Sequence, residues 1–200
     1  ALPILRVAVN SSLHATASTV SFAGAWTITG VSVSSGDTVT VFIDAATAGD
    51  QAVAVTEYDG SGNITGMKLF ERHLTIGSDD TGVSITNTEL DKYTTVEAGD
   101  TDVFHNVTTG TLTVDNANSF TDEELFVLSG NTYAPDGNIN THDIEIESST
   151  GVFTLGANTL RVEGSWDNNA TFNANTGTVI FTATSTTETI DSRSEEHTSE

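Results

Sequence analysis

Asp79-Asp80 and Glu123-Glu124 are adjacent acidic pairs, the residue type that glycoside hydrolysis uses. That reaction needs two carboxyl groups facing one scissile bond, several ångströms apart. Neighbours on a strand point to opposite faces, so a pair inside a strand does not converge, whereas a pair in a loop can. Both pairs are read as solvated turns, and no residue is assigned a catalytic role. His14, His105 and His142 stand far apart, and His73 follows Glu71-Arg72; no His-x-His or His-x-x-x-His spacing marks a metal site. These histidines are expected at the surface or at strand edges. Gly-x-Ser-x-Gly is absent, so Asp59-Gly60-Ser61-Gly62 is a turn and not a nucleophile elbow. Asp59, Ser61 and Asn63 share the alternating oxygen spacing of a calcium loop, but the twelfth position, where a bidentate Glu belongs, is Phe70. The Asp-rich turn from Asp100 to Asp102 remains the candidate for weaker Ca²⁺ binding, with Asp100 and Asp102 as ligands; no other cofactor is expected. Trp26, Tyr58, Tyr93, Tyr133 and Trp166 would stack on sugars if exposed in a row. Trp26 and Phe22 are expected in a core, and Trp166, between Ser165 and Asp167, is the aromatic expected to be partly exposed and the candidate binding residue.

The elements that must position these groups are short strands. From Thr150 to Ile190, apolar-alternating runs follow one another every ten or so residues, with Gly, Asn, Asp, Ser and Thr between them. In Thr159-Leu160-Arg161-Val162-Glu163 the alternation is strict, which sends Leu160 and Val162 to a core and Arg161 and Glu163 to water. A helix would need apolar residues three and four apart and would have to tolerate a dense run of Thr, Asn and Gly. A Thr-Gly turn opening a strand recurs at Thr109-Gly110, Thr150-Gly151 and Thr176-Gly177, each time with apolar residues at the fourth and sixth positions. The spacing of the copies is irregular, unlike a hexapeptide array. Upstream, Ser34-Ser35-Gly36-Asp37 is expected to turn a hairpin between Gly30–Val33 and Thr38–Ile43. Leu74 with Ile76, and Val83 with Ile85, mark short strands, and Thr88 to Tyr93 a single helical turn. Thr121-Asp122-Glu123-Glu124 resembles a capping box, yet the following apolar run is too short for a helix, which favours a loop.

The fold class expected is all-β: a short antiparallel, sandwich-like or irregular segment over residues 6–98, then a parallel β-solenoid over 99–192, with a junction near Ala98 to Asp102. Coils of roughly 20–25 residues would stack about four deep, at ~4.8 Å each.

Charge and composition narrow the function classes. Acidic residues number 28 against 6 Lys and Arg, for a net charge of −22. Nucleic-acid binding is excluded, because neutralising phosphates takes Lys and Arg. An anionic membrane surface is disfavoured for the same reason. No cysteine is present, which excludes disulfide frameworks and zinc–thiolate sites. No apolar run reaches spanning length, so no membrane insertion is expected. Arg193-Ser194-Glu195-Glu196-His197-Thr198-Ser199-Glu200 looks like the translation of a sequencing adapter, and the first residues, 1–5, like the opposite adapter end. Such scars belong outside fold reasoning. They imply a gene fragment from environmental sequencing, cut at both ends.

Gly164-Ser165-Trp166-Asp167-Asn168-Asn169-Ala170-Thr171-Phe172-Asn173, followed by Thr176-Gly177-Thr178-Val179-Ile180-Phe181, resembles a unit that recurs in large secreted, Thr/Gly/Asn-rich β-solenoid surface proteins of environmental bacteria. Residues 36–93 resemble a segment that precedes such units. The resemblance implies an extracellular or cell-surface location, and a role in structure or adhesion; it carries no catalytic residues. The expected function is therefore a non-enzymatic stalk, spacer or adhesin segment, with surface polysaccharide or neighbouring repeats as partners. The competing classes are a polysaccharide-degrading β-helix enzyme and a carbohydrate-binding module.

Overall fold

Short runs of alternating apolar and polar residues bury one side only by joining a sheet, and among the described residues they join four. The computed structural model describes residues 3–14, 17–21, 23–44, 46, 50–80, 83–95, 101–114, 123–148, 150–184 and 187–192. The first part is antiparallel: β1 (Ile4–Val9) pairs with β2 (Ser12–His14) and with β5 (Thr38–Asp44), and β5 with β6 (Val53–Glu57). A hairpin of β3 (Ala17–Val20) and β4 (Trp26–Thr29) supplies a second layer. Trp26 and Ile28 from it, with Val31, Val33, Ile64, Met67 and Leu69, pack on Val7, Val9, Val39 and Val41.

At β6 the same sheet turns parallel. β7 (His73–Ile76), β11 (Glu124–Val127), β14 (Asp143–Ile146), β17 (Trp166–Asn168) and β20 (Ile190–Ser192) follow one another in register. A second face stacks β8 (Ser84–Ile85), β12 (Thr132–Tyr133), β15 (Val152–Thr154) and β18 (Thr171–Asn173). The third stacks β10 (Thr111–Val114), β13 (Ile139–Thr141), β16 (Thr159–Val162) and β19 (Thr178–Phe181). The chain visits the three faces in turn, so it winds a β-solenoid. Six strands, β6 to β20, run parallel along the first face, which corresponds to about six turns. Parallel stacking thus begins upstream of the 98–102 junction, and one nine-stranded sheet joins both parts.

The interior is filled by columns of side chains from successive coils. Leu74, Leu125, Ile144 and Trp166 form one, Ile85, Tyr133, Phe153 and Phe172 a second, and Leu112, Ile139, Leu160 and Val179 a third. Tyr133, Phe153 and Phe172 touch ring to ring, with centroids 5.1 and 5.4 Å apart. Each coil buries its apolar side chains on the next, and that burial is the main stabilising term.

Between β8 and β10 the first coil carries an insertion: α1 (Asn87–Leu90), then β9 (His105–Thr108), which forms an antiparallel hairpin with β10. Thr109 and Gly110 both have positive φ, as a type I′ hairpin turn requires. The helix is started by Thr86, whose hydroxyl accepts from the Thr88 N–H while Glu89 reaches back to the Thr86 N–H. The capping box is therefore at Thr86–Glu89. Glu124 of the similar Thr121–Glu124 stretch opens β11, while Thr121 and Asp122 lie outside the described residues. Asn87 is fully buried and satisfied: its amide donates to the Gly110 and Asn138 carbonyls, and its oxygen accepts from the Tyr133 hydroxyl. Gly137 passes so close to the Gly110 carbonyl that a Cβ there would lie 1.9 Å from it.

Two expectations are corrected. The turn at Ser34–Asp37 exists, closed by the Asp37 N–H on the Ser34 carbonyl, but residues 31–33 form no ladder with β5. Both edges of β5 are already taken by β1 and β6, so Val31 and Val33 serve only as packing. The Thr-Gly copies do not mark equivalent coil positions either. β10 and β19 share the third face, but β15 lies on the second. What repeats is the inward column, at about 20 residues per coil. Ile4 and Leu5 belong to β1, paired with Asp44 and Ile43, and residues 193–200 lie outside the described residues.

Candidate functional site

Alternation that sends Leu74, Leu125 and Ile144 inward turns His73, Glu124 and Asp143 outward in one row of the nine-stranded sheet. Two residues along, Phe126, Glu145, Asp167 and Asp191 share the next row. Strands in register lie ~4.8 Å apart, so carboxylates in a row repel unless one holds a proton. Glu145 does: burial, then the negative charges of Glu124, Asp167 and Glu147, push its carboxyl up from 4.5 to about 7.

The neighbours divide the work. Burial disfavours the charged ring of His73, but the Glu124 carboxylate, 2.9 Å from Nε2, outweighs it and raises the pKa above 6.5. His73 Nδ1 lies against the Glu71 carbonyl, so the charged ring has an acceptor for each N–H. Burial also works against ionised Glu147, but the Ser129 N–H at 2.8 Å and the Lys68 ammonium at 3.0 Å hold its carboxyl below the usual range. Phe70 packs on the His73 and Phe126 rings, with centroids 5.6 and 5.3 Å away, and keeps part of its own ring exposed. The face thus combines a row of carboxyl groups, one of which titrates near neutrality, an imidazole whose charged form Glu124 favours, and an exposed aromatic edge. It is equipped to exchange a proton near neutral pH and to offer hydrogen-bond donors and acceptors to a polar ligand.

The sequence candidates fall elsewhere, except in part. Glu123 is buried and Glu124 opens β11 in the outer row, so that pair is not the solvated turn expected of it. Asp79 and Asp80 follow β7 in a loop; burial, then Asp59 and Asp79, raise the Asp80 pKa. Asp59 accepts from the Ser61 N–H and hydroxyl, which makes it a turn. Asp102 accepts from the Ala46 N–H at 3.1 Å, and Asp100 lies outside the described residues. Among the described residues, no group of three or more His, Asp or Glu is placed to hold a metal ion. Trp166 is not partly exposed: it is 6% accessible, in the inward column above Ile144, with its ring 4.8 Å from Phe172. Its polar neighbours Ser165 and Asp167 point the other way. Tyr93 and Tyr133 are buried as well, so no exposed aromatic row contains them. His105, expected at a surface, is fully buried, with Nε2 3.2 Å from the Leu90 carbonyl; burial pulls its pKa from 6.5 to about 4. Phe22 lies outside the described residues.

Glu145 and Asp167 were missed because their meeting depends on register between coils. The one local signal was the alternation Asp143-Ile144-Glu145-Ile146-Glu147, which puts three carboxylates on one face.

Comparison with family models, curated proteins and solved structures finds no match to this chain. Among the described residues no helix is long and apolar enough to cross a membrane.

Proposed function

We propose that this chain is a non-enzymatic structural or adhesive segment, a stalk or spacer, of an exported bacterial surface protein. The observation that carries this reading is the filled parallel stack: successive coils in register on three faces, with side chains occupying the interior. Each coil is tied to the next by backbone hydrogen bonds running along the axis and by interior packing, so the stack holds its ends apart as a stiff unit. The net charge of −22 favours solubility and keeps neighbouring copies apart at low salt. Surface polysaccharide and neighbouring repeats are the partners in this reading.

A second reading has one observation in its favour. Glu145, titrating near neutrality beside the carboxyl groups of Asp167 and Glu124, has the protonation a general acid needs, and exposed Phe70 offers a ring for a sugar. Incubation with neutral and acidic polysaccharides distinguishes the two. A spacer releases no new reducing ends and no unsaturated products. Products that form with the native chain and disappear in Glu145→Gln would replace the spacer reading with the enzyme reading.

A further inference from the structure

We infer that the cavity between the antiparallel sheet and the β3–β4 layer is a binding site for an uncharged lipid, with hydrocarbon inside and hydroxyl or ester groups at the rim. Strand β5 faces two interiors at once. Phe42 enters the solenoid core with Ala8, whereas Val39, Val41 and Ile43, with Val7 of β1, turn to the other side. Those side chains make an aliphatic floor that runs about 14 Å along β5. The cover begins with Trp26 and Ile28 of β4 and continues with Val31 and Val33. Ile64, Met67 and Leu69 complete it.

Floor and cover do not close on each other. The cavity between them measures about 1160 Å³. Folded interiors leave few voids larger than a water molecule, and the solenoid interior conforms, with Leu74, Leu125, Tyr133 and Phe153 fully buried. The apolar side chains of the cover are only partly buried, although they pack towards the floor. Small-molecule sites span roughly 300–1,000 Å³, so the space here is large enough for a whole lipid. None of the outward carboxyl groups of the solenoid is among its described lining residues, so the site is independent of the spacer and enzyme readings.

The lining defines the chemistry of the occupant. Among the described lining residues Lys68 carries the one charge, and its ammonium is paired with Glu147 at 3.0 Å. A charged group entering the cavity would meet no counter-charge, and an anion is opposed as well by the net charge of −22. Aliphatic walls favour hydrocarbon, and the exposed lining residues Thr27, Thr29, Ser32 and Asn63 offer hydrogen bonds to a neutral polar end. The cover is able to admit such a molecule. Among the described residues β3 and β4 pair only with each other, and a two-stranded hairpin is marginally stable by itself. Gly24 and Gly30, with φ of 81° and 80°, bracket β4. The segment around Ile64 to Leu69 is held instead, by the Asp79 N–H on the Thr65 carbonyl and by Lys68 on Glu147. Entry is therefore from the hairpin side.

Titration of the 200-residue chain with dioctanoylglycerol, below its aggregation limit, tests this. One molecule per chain should bind saturably, and Trp26 emission should shift to the blue as the indole leaves water. Methyl NMR locates the site without any substitution: Val39, Val41 and Met67 should shift on binding, and Ile144 and Ile180 should not. Ile28→Trp and Met67→Trp fill the cavity from different parts of the cover, and each should weaken binding at least tenfold. Dioctanoyl phosphatidate, the same chains on an anionic head, should bind at least tenfold more weakly than the neutral lipid. No saturable binding, methyl shifts confined to residues outside the cavity, phosphatidate bound as tightly as the neutral lipid, or full affinity in either tryptophan variant would each overturn the inference.

Discussion

Glu145 and His105 give the fold opposite responses to pH. Glu145 ionises at about 7 in the folded chain against an ordinary 4.5. Between those values the folded state holds a proton that the unfolded state has lost, so stability falls as pH rises through that window. Discounted for partial solvent screening, this amounts to about 1–2 kcal/mol. Glu145→Gln should remove that slope and stabilise the chain at pH 8, as read from denaturant midpoints. His73 acts in the same direction, since its charged form, stabilised by Glu124, is lost as pH rises through its raised pKa. His105 does the reverse. Its folded pKa is about 4 against 6.5, so the unfolded chain alone gains the proton as pH falls through that range. Up to about 3 kcal/mol of stability should be lost there, and His105→Gln should flatten the acid limb whatever it does to stability at neutral pH. Tyr133→Phe leaves the buried Asn87 oxygen without its hydroxyl donor. A cost of about 1–3 kcal/mol is expected in equilibrium unfolding.

At the scale of elements, the coils should differ in stability by position. Ile144 sits between Leu125 and Trp166, whereas Ile190 pairs among the described residues with Trp166 alone and is 65% exposed. Ile144→Ala should therefore cost about 2–5 kcal/mol, and Ile190→Ala well under 1 kcal/mol, in the same unfolding assay. Strands were legible in the sequence where one face is buried, because alternation is local: Leu160 and Val162 are inward, Arg161 and Glu163 outward. Helix α1 was legible as a single turn near Thr88, but its capping box, Thr86 with Glu89, was not singled out. What failed depended on partners distant in sequence. The Gly30–Val33 hairpin was lost to β1 and β6, which occupy the edges of β5. Trp166 has polar sequence neighbours, yet strand parity turns it inward. The acidic face required the pairing of Glu145 with Asp167 on the next coil, and no local pattern encodes that register.

For the molecule as a whole, the antiparallel start and the parallel coils share one sheet, so a load entering at one end passes through a continuous hydrogen-bonded ladder. In a stack of this kind each coil is held mainly by its neighbours and is released one layer at a time. Pulling the chain from its two ends in a single-molecule force measurement tests whether it acts as a stiff spacer. Resistance followed by successive lengthening steps is expected, each of about 20 residues or ~7 nm, the length of one extended coil. Smooth extension without steps, at forces that merely stretch an unfolded chain, would contradict the load-bearing role.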